Sequence, residues 1–82
     1  MTYQLLDTVV LDRDLPQHGL EKGDLGAVVE VYDDEALEVE FVRASGKTQA
    51  VVTLTVGSVR PVLENDLVAV RSVPPETAAA GG

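Results

Sequence analysis

Apolar and polar residues along this chain alternate with the period of strands. Leu37 to Phe41 shows it most cleanly: Leu37, Val39 and Phe41 fall on one face, Glu38 and Glu40 on the other. Thr8 to Leu11 is a β-branched run followed by the turn-prone Asp12-Arg13-Asp14. Gly26 to Tyr32 is rich in valine and is bounded by Gly26 and by Asp33-Asp34. Gln49 to Leu54, Val59 to Val62 and Leu67 to Arg71 repeat the pattern. No ten-residue window sustains helical spacing. Pro16, Gly19 and Gly23 break any helix between Asp14 and Asp24.

The connections suit antiparallel pairing. Asp33 to Ala36 is a short acidic turn, and Ala44 to Lys47 a second one, with Gly46 able to take a positive φ. The loop from Asp12 to Asp24 is the one long connection, and long loops in small domains often carry function. The expected fold is all-β: a small SH3-like barrel of five main strands plus a C-terminal strand, over residues 1–72. Residues 73–82, rich in Pro, Ala and Gly, read as a flexible tail. The expected core is Val9, Leu11, Leu25, Val29, Val31, Leu37, Val39, Phe41, Val52, Leu54 and Val62.

Composition narrows the chemistry. The chain has 82 residues, 14 acidic against 6 basic side chains, and a formal net charge of −8. Such acidity disfavours nucleic acid, whose phosphates need clustered Lys and Arg. The absence of cysteine excludes disulfides, thiol catalysis and Cys-based metal sites, and one histidine excludes a two-His metal site within one chain. No cofactor is implied. Neither a signal peptide nor a membrane-spanning run is visible, so a cytoplasmic location is the default expectation.

Certain residues recur in known proteins. Lys22-Gly23-Asp24-Leu25-Gly26-Ala27-Val28-Val29-Glu30-Val31 resembles the opening hairpin of SH3-like and KOW-like barrels. The run Leu5 to Pro61 resembles a family of short bacterial proteins known only as a domain of unknown function. The shared plan lies in Asp14-Leu15-Pro16-Gln17-His18-Gly19-Leu20, Gly23-Asp24-Leu25-Gly26, Glu38-Val39-Glu40-Phe41, Thr53-Leu54 and Arg60-Pro61. This resemblance implies an SH3-like barrel and no activity. The loop is also similar to the His- and Pro-bearing loop of the nitrile hydratase β subunit, a likeness of fold alone.

Candidate sites are few. Asp14, His18 and Asp24 share the long loop and could form a small-ligand or metal site, although one His with scattered carboxylates is a poor transition-metal set. Asp12-Arg13-Asp14 starts like a calcium loop but lacks its later glycine and glutamate. Ser45, Ser58 and Ser72 have no His–Asp set beside them in sequence, and Tyr3, Tyr32 and Phe41 are too few for a polyproline groove.

The strongest surface feature is acidic. Asp33, Asp34 and Glu35 occupy a hairpin tip, with Glu30, Glu38 and Glu40 on the outward faces of the flanking strands. Such a face suits a basic protein partner. Val51 needs cover, by Tyr3 or a terminal segment, and Leu67 to Val70 is apolar on both faces; either strip offers a self-interface for a homodimer. The expected function is a non-enzymatic, protein-binding accessory module, antitoxin- or immunity-like in chemistry. A docking subunit of an enzyme or electron-transfer complex, and a ligand-binding protein using the loop, are the alternatives.

Overall fold

The computed structural model describes residues 2–73. Five strands form one antiparallel sheet: β1 (Thr8–Leu11), β2 (Leu25–Val31), β3 (Ala36–Val42), β4 (Thr48–Thr55) and β5 (Val59–Pro61). Their order is β4-β3-β2-β1-β5, so β1 lies between β2 and β5 and joins the two halves of the chain. A 3-10 turn, Val56–Ser58, leads into β5. The order agrees with the barrel-like arrangement expected, and the ladder stays open between β4 and β5.

The core is built by alternation. Leu37, Val39 and Phe41 point inward from β3, where they meet Val9, Leu11, Leu54 and Val59. Val52 packs half-buried against them. β2 departs from the expected parity. Gly26 and Val28 take its inward places, so Leu25 is exposed and Val29 is only half-buried. A β-bulge then shifts the register between Val28 and Glu30: Val28 pairs with Val39, and Glu30 with Glu38. The extra residue returns Val31 to the core side opposite Leu37, but at its rim, where Val31 stays exposed. Val62 lies beyond the end of β5 and is also exposed. Leu25, Val29, Val31 and Val62 therefore leave the core, and Val10, Leu15, Leu20, Val28 and Val59 join it.

Gly26 is fixed by space. A Cβ there would lie 2.5 Å from Val39 Cγ1 and 2.8 Å from Phe41 Cε2. Glycine alone lets β2 run this close to the β3 side chains while pairing with Val9 of β1.

The long loop is a packed element. Leu15 and Leu20 pair across a bridge and are both buried, with a 3-10 turn, Pro16–His18, between them. Gly19 closes that turn in the left-handed region, at φ +69°. Gln49 Nε2 on β4 donates to the His18 carbonyl at 3.0 Å, tying the loop to the sheet.

Leu67 to Arg71, expected as a sixth strand, pairs with no strand among the described residues. Its apolar pattern meets the local requirement for a strand, but no neighbouring edge binds its backbone. Instead it forms a strap without regular secondary structure beside the loop. Of the expected tail, only Val73 lies within the described residues. No helix among them is long and apolar enough to cross a membrane.

Candidate functional site

The acidic hairpin is organised by its own backbone. Asp33 Oδ1 accepts from the amides of Glu35 at 2.8 Å and Ala36 at 2.9 Å, an Asx-type turn that joins β2 to β3. Asp33 thus shapes the tip, and Asp34 and Glu35 are presented from it, exposed. On the sheet, Glu30 sits directly across from Glu38. The next row toward the other end of β3 places Glu40 between Ala27 and Val51. These glutamates share the outer face of β2–β3–β4 with Thr53, the β4 partner of Glu38.

Glu40 Oε2 accepts from Thr48 Oγ1 at 2.6 Å. The ion pairs among the described residues, Lys22–Asp12, Arg60–Asp66 and Arg71 with Glu21 and Asp24, involve none of the six carboxylates on this face. Like charges directly opposite each other in a sheet repel, and the register sets Glu30 and Glu38 in that relation. Val51 is 48% exposed, uncovered by Tyr3, which packs on the core instead. Tyr32, at the end of β2, is exposed as well. The face therefore combines negative charge with bare apolar edges.

Asp14, His18 and Asp24 each have a partner of their own in or beside the loop. Asp14 Oδ1 accepts from the Lys22 amide at 2.8 Å, bracing the loop's two limbs. His18 contributes its carbonyl, to Gln49. Asp24 is held by Arg71 and by the Glu21 amide. No cluster of three or more His, Asp or Glu side chains among the described residues could hold a metal ion. Ser58 is buried, and its hydroxyl bonds Thr55 Oγ1 at 2.9 Å.

Arg71 and Asp24 are the contact that sequence reading missed. Arg71 Nε donates to Asp24 Oδ1 at 2.9 Å, and Nη2 bonds both Asp24 Oδ2 and the Gly19 carbonyl. Burial alone would raise the Asp24 carboxyl. The Arg71 hydrogen bond, the Glu21 amide and the Arg71 charge outweigh it and hold Asp24 below the usual carboxylate range. A second fork, Arg60 to both Asp66 oxygens at 2.9 and 3.0 Å, lowers Asp66 and anchors the start of the strap. Between strap and sheet lies a cavity of about 630 Å³, whose walls include Leu20, Phe41, Val42, Leu67 and Ala69.

Among known proteins, the model of a family described as a domain of unknown function, DUF4926, matches residues 5–61. No curated protein and no solved structure matches the chain.

Proposed function

The chain belongs to the DUF4926 family, a domain of unknown function, and from its own residues we propose that it is a non-enzymatic docking module for a basic protein. The docking surface is the outer face of β2–β3–β4 with the acidic tip beside it. The observation that carries this reading is the directly opposed Glu30–Glu38 pair, with no cation among the described residues paired to it. A repulsive pair on a small domain's sheet is relieved when a Lys or Arg of a partner enters between the carboxylates. Charge supplies encounter and selectivity, and the exposed Val51 and Tyr32 supply apolar contact. The same chemistry suits an antitoxin- or immunity-like protein that neutralises a basic partner.

The test compares two reversals of equal charge. Glu38→Lys places a cation in the docking face, and Glu64→Lys places one at an exposed site outside it. Tagged proteins are used to capture partners from the native host across a salt series. A stoichiometric basic partner that Glu38→Lys loses and Glu64→Lys keeps supports the proposal. Equal retention by both variants, or retention insensitive to salt, overturns it.

A further inference from the structure

The loop around Asp24 is shaped independently of the strap that lies on it. The Glu21 amide donates to Asp24 Oδ2 at 2.8 Å, which fixes the carboxylate from within the loop. The Gly19 carbonyl is set by the left-handed closure of the 3-10 turn. Leu15 and Leu20 sink this turn into the core, and Gln49 ties it to β4. Two carboxylate oxygens and a carbonyl are thus pre-arranged as acceptors, with the Glu21 carboxylate 3.6 Å from the bound guanidinium. That is the geometry a planar, five-donor guanidinium fits.

The strap that supplies the guanidinium is anchored at its start by the Arg60–Asp66 fork and, among the described residues, has few other attachments between that fork and Arg71. Its residues 67–73 make no backbone–backbone hydrogen bond to the sheet among the described residues. Leu67, Val68 and Val70 are 93%, 77% and 96% exposed. The strap also borders the cavity of about 630 Å³, whose lining includes Phe41, Val42 and the small Ala69. A cavity with apolar walls such as Leu20 and Phe41 and a few placed polar groups is a usual form of a recognition site.

We infer that this loop is an arginine-receiving cradle, occupied in cis by Arg71, which accepts an arginine from an extended apolar segment of a basic partner protein when the strap is displaced. A basic partner is favoured over a second copy because two chains of net charge −8 repel. A partner segment with side chains larger than Ala69 gains apolar contact in the cavity that the strap does not make. The cradle is distinct from the β2–β3–β4 face and does not depend on its role.

The test uses the full chain and three labelled peptides read by fluorescence anisotropy. The first carries the sequence of residues 66–73, the second replaces its Ala69 by Phe, and the third replaces its Arg71 by Ala. The protein variants are Arg71→Ala, which frees the cradle, and Arg71→Ala with Asp24→Asn, which keeps an acceptor for the Glu21 amide. Denaturant unfolding verifies that both variants fold. The first peptide is expected to bind Arg71→Ala about tenfold more tightly than the wild type, the factor that a tethered competitor at millimolar effective concentration gives when its own Kd is about 0.1 mM. The Phe peptide should bind more tightly still. The Ala peptide should not bind, and Asp24→Asn should abolish binding of the others. Equal binding of the Arg and Ala peptides, indifference to Asp24→Asn, or no binding to folded Arg71→Ala overturns the inference. A wild-type dimer that dissociates on Arg71→Ala also overturns it, by assigning the cradle to a second copy's strap.

Discussion

Replacing Gly26 by alanine adds one methyl group at the most crowded point of the sheet. The new Cβ would stand 2.5 Å from Val39 Cγ1 and 2.8 and 3.0 Å from two Phe41 ring carbons. Carbon atoms pack at about 3.5–4.0 Å, so the groups must part by roughly an ångström. Neither side can yield freely. Val39 is fully buried and Phe41 nearly so, while Gly26 is held on its other side by the β1 ladder opposite Val9. Overpacking of this kind costs about 1–3 kcal/mol, against a gain of about 0.4–1 kcal/mol from restricting the unfolded chain. A net loss near 1–2 kcal/mol is a large part of the roughly 4–12 kcal/mol available to a domain of this length. It should lower Tm by about 4–16 °C. The assay is urea unfolding followed by far-UV circular dichroism, with Gly57→Ala as control, since nothing lies within 4 Å of a Cβ at Gly57. Adding Val39→Ala to Gly26→Ala should recover part of the loss, appearing as coupling in a double-mutant cycle. Equal stability of Gly26→Ala and Gly57→Ala would refute the steric reasoning.

Three further outcomes are expected. Glu30→Gln removes the repulsion across from Glu38 and should stabilise the domain by about 0.2–1 kcal/mol in the same unfolding assay; a loss of stability would show that the pair is not repulsive. Leu20→Ala, in a loop yet buried against the core, should cost about 2–4 kcal/mol, whereas a loosely attached loop would register almost nothing. Asp24 is lowered in the folded protein, so its bond to Arg71 contributes fully above the unfolded carboxylate range and is lost as pH falls through the lower folded value. The Arg71 Nε–H resonance should therefore hold its position from neutral pH to about pH 4 and shift only below that; a shift centred near pH 6 would contradict the assignment.

The parts of the fold set by short-range pattern were readable in the sequence. Leu37, Val39 and Phe41 alternate with glutamates, and nothing interrupts them, so their burial follows from period alone. β2 was misread by one place because the inward position at its start belongs to a glycine and because a bulge resets the alternation before Val31. Neither is visible in hydropathy. Leu15 and Leu20 sit among Pro16, Gly19 and Gly23, breakers that mark a loop and say nothing of its packing; their burial arises from contacts with β strands distant in sequence. Leu67 to Arg71 has strand composition, yet it borders the cavity and pairs with neither open edge of the sheet, β4 or β5, a placement that hydropathy does not encode. The carboxylates of the sheet face were legible as a group, though only register revealed that Glu30 and Glu38 are opposite. The Asp24–Arg71 contact, 47 residues apart, left no trace in a chain with 14 acidic candidates for every arginine.

The position of β1 between β2 and β5 also bears on how the chain reaches its structure. β2, β3 and β4 follow one another through short turns and can form a meander from contacts close in sequence. β5 must instead find β1 across most of the domain, pairing Val59 with Leu11 and Pro61 with Val9. Closing so long a loop is entropically slow and is rewarded late. The meander is therefore the expected folding nucleus, and the β1–β5 seam the last to zip and the first to part. In stopped-flow chevrons Leu37→Ala should act mainly on the folding limb and Val59→Ala mainly on the unfolding limb. The strand that joins the two ends of the domain is thus also the one that governs how long it stays shut.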